Sequence, residues 1–216
     1  MQEFVLVTGM VLLTAPSGDY DRRMVVLTKE RGKITVFAKG ARRQGSRMMA
    51  ATNQFCFGTF KLYEGKSAYN LIEASITHYF EELRDDFVGA YLGMYFLEIA
   101  DYYARENNDE AELLKLLFQS IRAILSKNID NRLVRAIFEI KVLVVNGEFP
   151  GIATNEELLD GTKYTIEFIV RTPIKSLYTF AVKEDVLIQL LEIAGRYIKR
   201  YTDRNFKSLE LLEAIM

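Results

Sequence analysis

Apolar and polar residues alternate along the first third of the chain, with the two-residue period of half-exposed β-strands. Residues 33–39 (KITVFAK) show this pattern most clearly, and further extended runs lie near 2–14, near 22–29 and over 54–77. A turn at Gly65 divides the last run into a hairpin. Five strands with no helix between them predict a small barrel, and we expect it to be the five-stranded OB-fold.

The period lengthens to three or four residues from Tyr79 onwards, as on the apolar face of a helix. Asn146 and Gly147 are typical of a helix end, and Pro150 prevents continuation. Residues 162–182 contain the extended runs TKYTIEFIV and SLYTFAV, which predict two strands. The pattern predicts helices over 85–105, 110–125, 130–145 and 184–201, with a short last helix from Lys207.

These patterns together predict an α+β protein with two domains. Residues 1–78 are expected to form the OB-fold barrel, and residues 79–216 a mainly helical domain. Within the helical domain, residues 151–182 are expected to be an extended segment, a small strand-rich insertion. A chain of 216 residues with 50% hydrophobic composition is long enough to bury a core without disulfides.

Charge is distributed unevenly between the two predicted domains. The chain has a net charge of −1, but residues 1–78 carry +5 and residues 79–216 carry −6. Residues 22–66 hold eleven lysines and arginines against two glutamates, a net charge of +9. A solvated surface usually mixes both signs, so this segregation favours binding of nucleic-acid phosphates. At its centre is the glycine-bracketed segment KGARRQGSR, a predicted loop that contains Lys39, Arg42, Arg43 and Arg47.

Two further groups of residues admit either a structural or a binding interpretation. Exposed aromatic rings stack on unpaired bases, whereas aromatic residues on barrel strands more often belong to the core. The candidates are Phe37, Phe55, Phe57, Tyr63 and Tyr69.

Cations near the C-terminus either compensate a helix dipole or bind phosphate or an acidic peptide. They are Arg196, Lys199, Arg200, Arg204 and Lys207.

The residues needed for catalysis or for metal binding are scarce. One cysteine, Cys56, excludes an internal disulfide and a cysteine-cluster zinc site, and one histidine, His78, excludes a multi-histidine metal site. The segment EGKS at 64–67 resembles the end of a phosphate-binding loop, but Phe60 replaces the first glycine of that motif. We therefore expect a protein that is not an enzyme and has no cofactor or metal. No apolar run reaches the roughly 18 residues of a membrane span, and a cytoplasmic protein is expected.

The order and spacing of several motifs resemble the N-terminal domain of the RecO family of bacterial recombination mediators. That family shows a short acidic turn, a TxExG turn, a KGAR-like loop and a QPF-like strand in this order. The corresponding segments here are Asp19–Arg22, Thr28–Gly32, Lys39–Arg42 and Asn53–Phe55. The resemblance is strong over residues 9–60. It continues weakly through Tyr91–Glu98, Arg135–Gly147 and Asn205–Glu210.

The resemblance implies a protein that binds single- and double-stranded DNA and anneals complementary strands. It also implies binding to the acidic C-terminal tail of single-strand-binding protein (SSB). With RecR, and with or without RecF, such a protein would help load RecA onto SSB-coated DNA. Such a protein would be cytoplasmic and nucleoid-associated, with no membrane partner. Many family members carry a four-cysteine zinc knuckle, which a chain with one cysteine cannot form.

By position, the resemblance implies DNA contacts on the barrel, and we expect the acidic tail to bind the helical domain. The phosphate-binding residues would be Lys39, Arg42, Arg43 and Arg47, supported by Arg22, Arg23 and Lys33. The acidic tail would be bound beside an apolar groove by Arg132 or Arg135 and by the face that carries Arg196, Lys199 and Arg200.

Two other functions remain open at this point. A protein–protein adaptor with a purely structural barrel would not show the steep salt dependence that phosphate contacts produce. An RNA-binding barrel would distinguish RNA from DNA of the same sequence through the 2′-hydroxyl.

Overall fold

A computed structural model describes residues 4–126, 128–152 and 157–215. The N-terminal strands form a closed barrel with the order β1-β2-β3-β5-β4, in which β3 and β5 pair in parallel and the other neighbours are antiparallel. This arrangement confirms the predicted OB-fold. The strands are β1 (Phe4–Ser17), β2 (Asp21–Thr28), β3 (Gly32–Ala38), β4 (Phe57–Glu64) and β5 (Tyr69–His78).

The alternation that predicts the strands also builds the barrel core. On β3, Ile34, Val36 and Ala38 point inwards and are buried, whereas the intervening residues remain half-exposed. Phe60 and Leu62 on β4 are fully buried in the same cluster. The interior is therefore filled with apolar side chains, and ligand binding is left to the loops and the outer surface.

Most of the helices follow the barrel, as the change of period predicts, but one short helix lies between β3 and β4, where the pattern predicts none. Asp130 caps α4 by accepting a hydrogen bond from the Arg132 N–H, and Gly147 after its end adopts a left-handed φ of 73°. Two single 3₁₀ turns lie at Glu81–Arg84 and Ile174–Ser176. The helices are α1 (Met48–Ala51), α2 (Phe87–Tyr103), α3 (Ala111–Leu125), α4 (Asn131–Val145), α5 (Asp160–Arg171), α6 (Glu184–Tyr201) and α7 (Lys207–Ile215).

The prediction of an extended, strand-rich segment over 151–182 is wrong where the structure describes it; residues 153–156 lie outside the described residues. Residues 160–171 form the helix α5, whose buried positions are Thr162, Thr165, Ile166 and Ile169. That spacing of three and four is helical. These four residues are β-branched, which suggested a strand, and they share the packed face of the helix, whereas Val170 is half-buried. The Nζ of the buried Lys141 on α4 donates hydrogen bonds of 2.8–3.1 Å to the carbonyls of Ile169, Val170 and Thr172. A lysine at the end of a helix satisfies carbonyls that lack a partner within it.

The chain folds into two compact units that interleave along the sequence. The barrel unit contains residues up to Asp85 together with Leu97–Leu114, and the helical unit contains Asp86–Phe96 and the chain from Lys115 onwards. The division into domains 1–78 and 79–216 stays a prediction. No helix in the described part of the chain is long and apolar enough to cross a membrane.

Candidate nucleic-acid interface

The basic segment forms a loop at one end of the barrel, which we call the barrel-end loop (residues 39–47). It leaves β3 through Gly40, whose φ of 65° is left-handed and whose N–H donates to the Asp21 carboxylate at 2.8 Å. The Arg42 N–H donates to the carbonyl of Tyr20 at 2.8 Å, and its Nη1 donates to the carbonyl of Gly18 at 3.2 Å. The loop is therefore fastened to the turn between β1 and β2.

Exposed cations surround this end of the barrel. Four lie in the barrel-end loop, and the fifth, on β2, pairs in register with Phe37 near the end of β3. None of the five forms an ion pair with a carboxylate in the part of the chain that the structure describes. We call this set the basic end: Arg23, Lys39, Arg42, Arg43 and Arg47.

Arg22 has a structural role beneath the basic end. Its half-buried guanidinium donates through Nη1 to the carbonyl of Met49 (3.0 Å), the Thr52 hydroxyl (2.8 Å) and the Asn53 side-chain oxygen (2.9 Å). Burial, followed by repulsion from Arg42, lowers the pKa of Arg22. These contacts hold residues 49–53, which follow the barrel-end loop, so Arg22 stabilises the segment next to the basic end.

Lys33 lies at the opposite end of β3 from the barrel-end loop. Its Nζ donates to the carbonyl of Asp101 at 2.5 Å and forms an ion pair with the Asp101 carboxylate at 3.2 Å. Both residues belong to the barrel unit. The structure therefore separates Lys33 from the other predicted phosphate-binding residues.

None of the five aromatic candidates is fully exposed. Phe55 and Tyr69 are buried, and Phe37, Phe57 and Tyr63 are half-buried. The exposed ring at the basic end is Tyr20, at 54% exposure, in the turn between β1 and β2. Sequence reasoning missed Tyr20 because it considered only strand positions, although a large aromatic residue within the turn GDYD is itself a signal.

The single cysteine and the single histidine lie in packed or stacked positions and not in a reactive site. Cys56 is buried, and burial raises the pKa of its thiol to about 11, so the thiolate that reactive cysteines require is disfavoured. His78 ends β5 and stacks on Phe80 with ring centres 5.6 Å apart. Among the described residues, no group of three or more His, Cys, Asp or Glu side chains is placed to hold a metal ion.

Arginines of the helical unit are paired with carboxylates, in contrast to those of the basic end. Arg132 contacts Asp130 and Glu184, each at 2.7 Å. Arg135 contacts the fully buried Glu139 at 2.8 Å and the exposed Glu213 of α7 at 3.1 Å. The hydroxyl of Tyr95 also donates to Glu139, at 2.7 Å.

A cavity of about 440 Å³ lies beside Arg135 in the helical unit. Of the five residues predicted to bind the acidic tail, only Arg135 and Lys199 line it. Arg132 does not reach it, and Arg196 and Arg200 lie over the rings of their neighbours Tyr197 and Tyr201. Its wall also includes the cation Arg204, the apolar residues Ile198, Phe206 and Leu209, and the acids Asp203, Glu210 and Glu213. The cavity thus combines cations with apolar surface, and acids on its wall compete for the cations.

The family model described as recombination protein O, N terminal, matches residues 1–80, and the model of the corresponding C-terminal region matches residues 84–153. Among curated relatives, the DNA repair protein RecO of Acetivibrio thermocellus is 23% identical over 98% of this chain and 97% of its own length. That of Clostridium novyi is 24% identical over 94% and 91%. That of Bacillus pumilus is 33% identical over 66% and 55%.

Proposed function

The chain belongs to the RecO family of DNA repair and recombination proteins, and on that basis we propose that it is a non-enzymatic recombination mediator. In this role it binds single- and double-stranded DNA, anneals complementary strands and, with RecR, helps load RecA onto SSB-coated DNA. We propose that it acts at the nucleoid and contacts RecF where a RecF protein is present.

The observation that carries the DNA-binding proposal is the set of five unpaired cations at the basic end. A cation that has no carboxylate partner within the protein gains more from a phosphate than one that must first break an ion pair. Arg23, Lys39, Arg42, Arg43 and Arg47 meet this condition among the described residues. Their proximity to one fastened loop supports a single phosphate-binding surface.

Annealing follows from the same surface in physical terms. Two complementary strands repel each other through their phosphates, and a protein that neutralises phosphates releases counterions and lowers that repulsion. Backbone contacts of this kind carry no sequence information. The basic end therefore suits a protein that must accept any pair of complementary strands.

The cavity of the helical unit supports the second part of the proposal, binding of the SSB tail. An acidic peptide is bound by cations, and the cavity offers Arg135 and Lys199 beside the apolar residues Phe206 and Leu209. Arg135 is the central contact in this proposal, because it lies beside the cavity and is already positioned by Glu139.

The test compares wild-type protein with a variant in which Lys39, Arg42 and Arg43 are changed to Ala. Binding of a labelled single-stranded oligonucleotide is measured by fluorescence anisotropy across a range of salt concentrations. Each phosphate contact to a single strand contributes about −0.7 to the slope of log K against log salt. We expect the variant to bind more weakly, with a slope that is flatter by roughly 2.

The matched control changes three exposed lysines of the helical unit, Lys163, Lys175 and Lys183, to Ala. It removes the same charge, so an equal loss of binding in both variants would contradict the proposed surface. Wild-type protein that binds the SSB tail peptide but no DNA at low salt would favour the adaptor function. Tighter binding to RNA than to DNA of the same sequence would favour an RNA-binding barrel.

A further inference from the structure

Tyr20 is a large exposed aromatic residue within the basic end. It lies in the turn between β1 and β2, and 54% of its surface is exposed. The guanidinium carbon of Arg43 lies 5.3 Å from the centre of its ring. An arginine over one face of a tyrosine forms a cation–π pair. The planar guanidinium and the exposed tyrosine ring therefore lie next to each other.

The backbone of Tyr20 is tied to the loop that carries the cations. Its carbonyl accepts the Arg42 N–H at 2.8 Å, and the carbonyl of Gly18 accepts the Arg42 side chain at 3.2 Å. The neighbouring Asp21 carboxylate accepts the Gly40 N–H at 2.8 Å. The turn that carries the ring is therefore hydrogen-bonded to the loop that carries the cations.

Core packing does not account for Tyr20. The ring is more than half exposed and belongs to a turn, and its hydroxyl has no hydrogen-bond partner among the residues that the structure describes. The half-buried Phe37 and Tyr63, in contrast, rest against the barrel. An exposed tyrosine that contributes little to packing is available to a ligand.

We propose that Tyr20 and Arg43 form a base-stacking site that makes the basic end prefer unpaired nucleotides to duplex DNA. Aromatic rings and guanidinium planes both stack on bases. A single strand exposes the faces of its bases, whereas a duplex hides them within its own stack, so only the single strand gains this contact. The inference rests on the proposed function, since it concerns the same surface.

The absence of tryptophan from the chain provides a direct test. The variant Tyr20→Trp introduces the only indole, and its fluorescence reports stacking by quenching. We expect oligothymidylate to quench this fluorescence strongly, and a duplex of equal charge to quench it much less.

The matched control is Phe4→Trp on the same barrel. Phe4 is 59% exposed and has the Lys61 ammonium 5.0 Å from its ring centre, so it reproduces an exposed ring with a cation over it. It is the first residue of β1, whereas the turn that carries Tyr20 follows the other end of that strand. We expect no quenching by either DNA, and equal quenching at both positions would overturn the proposal.

Affinity measurements supply a second test that does not depend on fluorescence. Stacking of one base is worth about 1–3 kcal/mol, so Tyr20→Ala should weaken single-strand binding roughly 5- to 150-fold. Duplex affinity should change by less than about twofold, and the salt slope should stay the same because no phosphate contact is lost. Tyr20→Phe, which keeps the ring, should bind like wild type.

The outcomes separate this inference from the proposed function. Equal loss of single-strand and duplex binding in Tyr20→Ala, or no loss of either, would overturn the stacking site while the DNA-binding function stands. Wild-type protein that binds neither DNA would overturn both.

Discussion

The basic end of the barrel and the paired arginines of the helical unit use the same kind of side chain under opposite conditions. Arg42 and Arg43 reach solvent without a carboxylate partner among the described residues, whereas Arg132 and Arg135 each contact two carboxylates. Exposed arginines without partners repel each other, and that repulsion is relieved by an anionic ligand. Paired arginines hold helices together, so an anionic ligand must compete for them. The number of basic residues alone therefore does not identify a binding site.

The difference has a simple origin in where the acids lie. Residues 22–66 contain only Glu30 and Glu64 as acids. The carboxylates of Glu30 and of the nearby Asp21 accept backbone N–H groups, from Thr8 and Gly40, each at 2.8 Å. The helices of the other unit carry acids at positions that face the arginines, such as Glu139 one helical turn from Arg135. A four-residue spacing places such a pair on one helix face.

The largest expected effect is on the free energy of unfolding and concerns the ion pair between Arg135 and the buried Glu139. Removing one partner of a buried ion pair leaves an unpaired charge and costs about 3–5 kcal/mol. Arg135→Met should therefore lower the free energy of unfolding by about that amount, measured by urea denaturation and circular dichroism. Adding Glu139→Gln, which keeps an acceptor for Tyr95, should restore most of the loss.

The more exposed Arg132 is the control for this prediction. Surface ion pairs contribute about 1 kcal/mol or less, so Arg132→Met should lower the free energy of unfolding only by that amount. Equal losses in Arg132→Met and Arg135→Met would contradict the distinction between the two sites.

Beneath the basic end, Cys56 should be protected from alkylation. Its pKa is raised from 9.0 to about 11 by burial. At pH 8 this shift alone lowers the thiolate fraction about 100-fold relative to the unfolded chain, and iodoacetamide should react correspondingly more slowly with native protein than in urea. Because the raised pKa favours the protonated thiol in the folded state, stability should fall as pH rises from about 9 towards 11. Similar alkylation rates in native and unfolded protein would show that this segment is open.

Lys39 and Lys33 are both predicted to bind phosphate, but the structure leaves Lys39 exposed and pairs Lys33 with Asp101. Changing each to Ala tests whether this difference decides DNA binding. Lys39→Ala should flatten the salt slope of single-strand binding by about 0.7, the contribution of one phosphate contact. Lys33→Ala should leave that slope unchanged, because Lys33 is already bound to Asp101. Anisotropy titrations at four salt concentrations measure both variants, and a flatter slope in Lys33→Ala would place DNA on that side of the barrel too.

The smallest expected effect is on peptide affinity, and it tests whether Glu213 competes with an acidic peptide for Arg135. Glu213 occupies one side of the Arg135 guanidinium at 3.1 Å. Glu213→Gln should therefore strengthen binding of an SSB tail peptide about two- to fivefold, the size of a surface ion pair. Glu192→Gln, an exposed change on α6 outside the cavity, is the control. Weaker peptide binding in Glu213→Gln would show that Glu213 helps to hold Arg135 in the binding position.

Much of the fold and part of the candidate site could be predicted from the sequence. Alternation over 33–39 indicates a strand whichever residues lie elsewhere, and the charge of residues 22–66 locates the basic loop. Arg22 could not be recognised as a structural residue, because its partners at 49–53 lie about 30 positions away along the chain. The turn position of Tyr20 is visible in the sequence, but how exposed its ring is compared with that of Phe37 depends on which residues pack nearby.

The sequence by itself determined the properties that depend on near neighbours: strand and helix periods, the caps at Asp130 and Gly147, and the excess of positive charge in one segment. Only the tertiary structure decided the ion pairs between distant residues, such as Arg132 with Glu184 and Arg135 with Glu213. It also placed Lys141 of α4 against the carbonyls at the end of the helix 160–171. Local periods repeat within a few residues and are visible in the chain, whereas a long-range ion pair, or a lysine that binds the carbonyls of another helix, joins residues that only folding brings together.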